Sequence, residues 1–147
     1  MEDVLKDLIP MSLSLLLGTL VGWERQMGRK PAGLRTHVLV CLGSTMFCLT
    51  TSHAFHAYGG QSLDATRVVH GVVTGVGFLG AGSIMRQEGY VAGLTTAASI
   101  WMVAAIGTAV GVRAYGLAVS GTVLALIVLE GYRWAERFLS PSADHSE

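Results

Sequence analysis

Charge is scarce in this chain. Only 14% of its 147 residues are Asp, Glu, Lys or Arg, against roughly a quarter in an ordinary soluble domain. Acidic and basic residues cancel to a net charge of +0, so no overall basic field draws nucleic acid. The charges collect in short clusters between apolar runs, whereas a soluble helical domain carries a charged stripe along each helix. No apolar run holds a charge near its middle, which argues against an ion pump built on a midplane carboxylate. Only hydroxyls stand at that depth: Thr45, Thr74, Ser99 and Thr108. There are two cysteines, Cys41 and Cys48. Seven residues apart on one helix, they share a face but lie about 10 Å apart along the axis. That is too far for a disulfide, and both read as small apolar packers. The start, Met1–Asp7, is acidic, where a secretory signal starts basic.

Catalytic constellations are also missing. No nucleophile–base–acid set is visible, so no enzyme activity, cofactor or metal is expected. His53, His56 and Asp64 come nearest to a metal site, but isolated loop histidines are usually solvated. Gly75–Gly80 matches the dinucleotide fingerprint by letter, yet it sits inside an apolar span rather than between a strand and a helix. Gly28–Gly33 resembles a phosphate loop without its Lys-Ser/Thr pair.

What is abundant is apolar sequence: 51% of the residues. A membrane helix needs about 20 mainly apolar residues. Five segments qualify: Leu8–Trp23, extended by Val4 and Leu5; Leu34–Ser52; Val68–Met85; Val91–Val112; and Ala114–Leu129, reaching Tyr132. Pro10 falls in the opening turn of the first, where it is tolerated. Four spans are the alternative: fusing the last two segments across Val112–Ala114 would give a helix far too long for a bilayer, so the weak point is Leu8–Trp23. The fold expected is an all-α polytopic transmembrane bundle. Residues 1–132 form the membrane domain, and 133–147 form a short cytoplasmic tail with no separate soluble domain.

Lys and Arg mark the cytoplasmic side of a membrane protein. With five spans, Arg25, Arg29, Lys30, Arg35, Arg86, Arg133 and Arg137 share one side, and Lys6, Arg67 and Arg113 the other. The N-terminus is therefore expected outside and the C-terminus in the cytoplasm, with lipid as the surrounding partner. The third span is rich in glycine: Gly71, Gly75, Gly77, Gly80 and Gly82. Gly71-x-x-x-Gly75 is a small-xxx-small motif, which lets helices approach closely. The third span is accordingly expected at the centre of the bundle and as the seam of a homo-oligomer. The second and fifth spans are expected to face lipid.

The basic loop has a partial copy. Arg25-Gln26-x-Gly28, then Ala32-Gly33-Leu34-x-Thr36, returns as Arg86-Gln87-x-Gly89, then Ala92-Gly93-Leu94-x-Thr96. Each copy ends one span and starts the next on the same side, as two parallel helical hairpins would. Convergent loop chemistry would give the same match. Arg25 and Arg86 complement the negative ends of helix dipoles, and Gly28 and Gly89 suit the left-handed residue that ends a helix. Gly33 and Gly93 permit close backbone approach. Thr36, Thr95 and Thr96 fall in the first turn of the following helix, where free N–H groups need partners. Two helix N-termini beside Arg29, Lys30 and Arg35 form a candidate anion site. Its guest could be a lipid phosphate, a phosphorylated solute, or the chain's own Glu24 or Glu88. The plainer reading is that these groups cap helices and anchor to lipid head groups.

The motifs Gly22–Gln26 (GWERQ), Arg29–His37 (RKPAGLRTH), Gly77–Gly82 (GFLGAG) and Gly93–Trp101 (GLTTAASIW) resemble the signature stretches of the MgtC/SapB family. The resemblance spans about Leu8 to Tyr132. It implies a bacterial inner-membrane protein linked to magnesium limitation, to virulence through survival in host phagocytes, and to control of membrane potential. It further implies a membrane partner such as the ATP synthase. Some members carry a cytoplasmic ACT-type domain, and a role resting on that domain is not expected of these 147 residues. The resemblance brings no agreed catalytic site. Two functions follow for testing: a non-enzymatic regulator that acts by binding, or a small ion or solute transporter. A polar path along Thr74, Ser83, Thr96 and Ser99 would favour the transporter.

Overall fold

A computed structural model describes residues 2–57, 65–87 and 89–131. Five helices form an all-α bundle: α1 Glu2–Met27, α2 Leu34–Ala57, α3 Ala65–Gly82, α4 Leu94–Gly111 and α5 Tyr115–Leu126. A π-helical turn, Ile127–Gly131, prolongs α5. Among the described residues, three helices are long and apolar enough to cross a membrane, over Leu5–Met27, Leu34–Ala54 and Leu94–Gly111. Tyr115–Gly131 is a shorter apolar helix.

The expected segments are recovered with shifted ends. Because α1 starts at Glu2, Pro10 lies about two turns inside it rather than in the opening turn. The fourth and fifth segments are separate helices. Arg113 between them has a left-handed backbone, φ 63°, and the Arg113 and Ala114 N–H groups bond back to Val110 and Ala109 at 2.9 and 2.8 Å. That paired pattern is a helix-closing motif normally built on glycine. The end of α1 repeats it. Arg29 N–H reaches Gln26 O at 3.1 Å and Lys30 N–H reaches Arg25 O at 3.0 Å. The left-handed residue is Arg29, φ 50°, not Gly28 as expected.

The third segment stops at Gly82 rather than Met85. Ser83 closes the helix, with its N–H and its hydroxyl both on Gly80 O, at 3.0 and 2.7 Å. Two short antiparallel strands follow, β1 Met85–Gln87 and β2 Tyr90–Ala92, with Arg86 opposite Val91. Gly93, φ 90°, turns the chain from β2 into α4, so α4 begins at Leu94 instead of Val91. A Cβ at Gly93 would run into the Ser83 carbonyl.

The closest packing lies between α1, α2 and α4. Val21, Cys41, Val103 and Val110 are fully buried there. A Cβ on Gly22 would stand 2.9 Å from Leu34 Cα, and one on Gly18 2.9 Å from Cys41 Cβ. Gly107 presses on the Cys41 backbone in the same way. His37 meets Ser99, and Thr45 meets Gly107, so α2 and α4 run parallel. Two helical hairpins with parallel second arms are what the loop repeat predicts. The expectation of α3 at the centre is corrected. Only Val72 and Val76 of its large apolar residues are buried, and a Cβ at Gly71, Gly75, Gly77 or Gly82 would meet nothing within 4 Å. Gly80 alone approaches a neighbour, Ala97, at 3.6–3.8 Å. The central helix is α4; α2 packs one face on α1 and α4 and leaves Leu39, Met46 and Phe47 exposed on the other, in keeping with an outward face. The outward face of α5, with Leu117, Val123 and Leu124 exposed, agrees with its expected place.

Much of the Thr50–Arg67 connection, including Asp64, and all of the tail from residue 132 lie outside the described residues, as do the His56 side chain and Glu88. His53 is helical and lies 2.5 Å from Asp7 of α1.

Candidate functional site at the shared end of the helices

Alternation of direction brings the C-terminal ends of α1 and α5 to the same end of the bundle as the N-terminal ends of α2 and α4. The buried polar residues are densest here. The last turn of α1 supplies Glu24 and Arg25, 6% and 1% exposed. Arg25 Nη2 donates to Glu24 Oε1 at 2.7 Å, and Nε donates to the other carboxylate oxygen. The two-pronged contact offsets part of the cost of burying both charges. It leaves one nitrogen over: Arg25 Nη1 is buried without a hydrogen-bond partner among the described residues.

The fully buried His37, in the first turn of α2, joins the hairpins. Its Nδ1 lies 2.9 Å from the Gly33 carbonyl. A carbonyl only accepts, so Nδ1 is the donor. Nε2 lies 3.0 Å from Ser99 Oγ of α4. Deeper in the bundle, Thr45 Oγ1 lies 2.8 Å from both Ser14 Oγ of α1 and the Gly107 carbonyl of α4. Ser14 Oγ in turn donates to Cys41 Sγ at 3.3 Å. One hydroxyl thus ties three helices together, and both cysteines are buried and free.

The two helix starts differ. Gln26 Oε1 reaches back to the Leu34 N–H of α2 at 3.4 Å, so a side chain already attends that N-terminus. Among the described residues no side chain caps α4, whose first intrahelical bond runs from Ala97 N–H to Gly93 O at 2.9 Å. The N–H groups of the first turn before it have no intrahelical acceptor. This uncapped end opens on a cavity of about 570 Å³ lined by Arg25, Lys30, Thr95 and Thr96, with Val91 and Leu129 among its apolar walls.

Of the residues expected at the site, Arg25, Lys30, Gly93, Thr95 and Thr96 meet around this cavity, Glu24 is tied to it through Arg25, and Gly33 is bonded to His37 and does not line it. Arg29 and Arg35 are exposed and Thr36 is half-buried; none of the three lines it. Arg86 is exposed in the middle of β1, not at a helix end, so it cannot complement a dipole as Arg25 does. Of the four residues named for a transporter path, Thr96 lines this cavity. Ser83 bonds to Gly80 O, Ser99 to Thr96 O and His37, and Thr74 is exposed on α3. Sequence reasoning missed His37, Ser14 and Gln26. The missed signal was polar and small residues every fourth position on facing helices: Ser14, Gly18 and Gly22 against His37, Cys41 and Thr45.

Apolar helices tied by a few buried polar residues define a polytopic helical membrane protein. The profile of the MgtC family matches residues 11–138, and the chain belongs to that family. It is 44% identical over 126 residues to a protein of Escherichia coli K12 named putative magnesium transporter YhiD, covering 84% of this chain and 59% of that one. To protein SrpB of Synechococcus elongatus it is 39% identical, covering 85% and 74%. To protein MgtC of Salmonella typhimurium it is 40% identical, covering 77% and 46%. The chain thus spans about three-fifths of the E. coli relative and under half of the Salmonella one. No solved structure matches it.

Proposed function

We propose that this MgtC-family membrane protein is a non-enzymatic regulator of ion homeostasis that acts by binding rather than by carrying a solute. The observation that supports this most is the sealed junction of α1, α2 and α4. Its polar groups are spent on one another, Thr45 on Ser14 and Gly107 and His37 on Gly33 and Ser99, and Val21, Val103 and Val110 fill the space between. A carrier needs polar groups that an ion can reach. In this reading the link to magnesium limitation and membrane potential runs through a membrane partner, with the ATP synthase the first to test, and with survival in phagocytes as a consequence. The basic end faces the cytoplasm, the N-terminus lies outside, and copies associate through α3. The alternative is a small transporter, favoured by the printed name of the E. coli relative.

Purified protein in liposomes separates the two. The regulator predicts no flux of magnesium, potassium, protons or phosphate above empty vesicles. Magnesium flux that Thr45→Val alters would overturn it.

A further inference from the structure

We propose that the cavity at the start of α4 is a binding site for a phosphate group, and that a phospholipid is the molecule that brings it. This goes beyond the regulatory reading and does not depend on it.

Three observations converge. Helix N-termini attract anions through their free N–H groups and the positive end of the dipole, and among the described residues α4 has no side-chain cap where α2 has Gln26. Beside this end, Arg25 is 1% exposed and its Nη1 has no hydrogen-bond partner among the described residues. A buried guanidinium nitrogen without an acceptor is costly, and Glu24 has taken only the Nε and Nη2 edge. Lys30 completes the wall from the exposed side. Lys30 gives the cavity a cation, and Arg25, its charge already paired with Glu24 on the other edge, lines it as well; a phosphate oxyanion can accept from both and from backbone N–H groups at once.

Shape and lining choose among phosphates. At about 570 Å³ the cavity is of the size that takes small organic ligands, larger than inorganic phosphate needs. Its walls carry Val91 and Leu129, the latter set by the π-helical turn that widens the end of α5. It lies at the end of helices that cross the membrane, where lipid head groups are. Basic pockets between such helices hold lipid phosphates elsewhere.

The test is native mass spectrometry of the full chain in a neutral sugar detergent, titrated separately with phosphatidylglycerol, with dioleoylglycerol as its phosphate-free counterpart, and with inorganic phosphate. The variants are Lys30→Gln, Arg25→Gln and, at the opposite end, Lys6→Gln. Phosphatidylglycerol is expected to be retained, with retention reduced about tenfold by Lys30→Gln and unchanged by Lys6→Gln. Arg25→Gln is expected to abolish it while far-ultraviolet circular dichroism stays helical. Should Arg25→Gln fail to fold, the exposed Lys30 still decides. Retention of inorganic phosphate with the same sensitivity would keep the site and make its source a free phosphate. Retention of dioleoylglycerol as strongly as phosphatidylglycerol, equal loss in the Lys30 and Lys6 variants, or no retention of either phosphate would overturn the proposal.

Discussion

The two hairpins share a loop frame and use it differently. In the first, α1 and α2 are joined by a short turn, and α1 glycines bring the backbones together, with Leu34 Cα 2.9 Å from where a Gly22 Cβ would be. In the second, a pair of strands separates α3 from α4, and the α3 glycines mostly face open space. Without a hydrophobic drive between helices in lipid, association rests on backbone proximity and hydrogen bonds. The first hairpin has both, and it holds α4 by the same means through His37–Ser99 and Thr45–Gly107. The second hairpin holds its own arms mainly through Val72, Val76, Ile100 and Ala104, with Ala32 of the first loop filling the gap. One glycine-rich pattern can therefore be a seam inside the chain or a surface on it, and only the neighbouring backbone decides which.

The largest effect should come from filling the seam. Gly22→Leu puts a side chain where Leu34 Cα and His37 Cβ already stand, and is expected to cost about 3 kcal/mol or more. Gly75→Leu in α3 is expected to leave the monomer folded. Unfolding in mixed micelles, followed by circular dichroism, compares them, and equal losses would erase the distinction between the hairpins. A smaller contrast lies in the matched arginines. Glu24→Gln removes the carboxylate from a buried Arg25, with an expected loss of about 3 kcal/mol. Arg86→Gln, on an exposed strand, should stay within about 0.5 kcal/mol. A cost at Arg86 as large as at Glu24 would mean that the second copy of the frame is as buried as the first.

The helices were legible because apolar length and charge placement report directly on lipid. Arg25 falls in the last turn of α1 and Thr96 in the first turn of α4, as the loop frame implies, and the repeat anticipates that α2 and α4 run parallel. Less legible was whatever depends on a partner distant in sequence. Gly107 and Gly75 look alike in a string of letters, and only the position of Cys41 tells them apart. His37 was visible inside a motif, but nothing local says that its second nitrogen finds Ser99, 62 residues away. The strands after Gly82 were hidden because three residues on each side are too few to show alternation. At the candidate site the charged residues could be named, but not the division of labour among them. Arg25 is withdrawn into the core by Glu24, whereas Arg29 is used as a left-handed helix end.

The smallest expected change is also the one that bears on assembly. A helix-interior glycine is less favourable than alanine by about 0.8–1 kcal/mol, and among the described residues a methyl at Gly71 or Gly75 would meet nothing within 4 Å beyond its own stretch of helix. For a monomer, Gly75→Ala should therefore be neutral or stabilising by up to about 1 kcal/mol. If copies associate through α3, as proposed, the same methyl separates two backbones that glycine lets touch. Stability and association then move in opposite directions. Circular dichroism in micelles reads the first, and cross-linking or analytical ultracentrifugation in the same detergent reads the second. A variant that is as stable as the parent and assembles as well would show that the open glycines of α3 face lipid and not another copy.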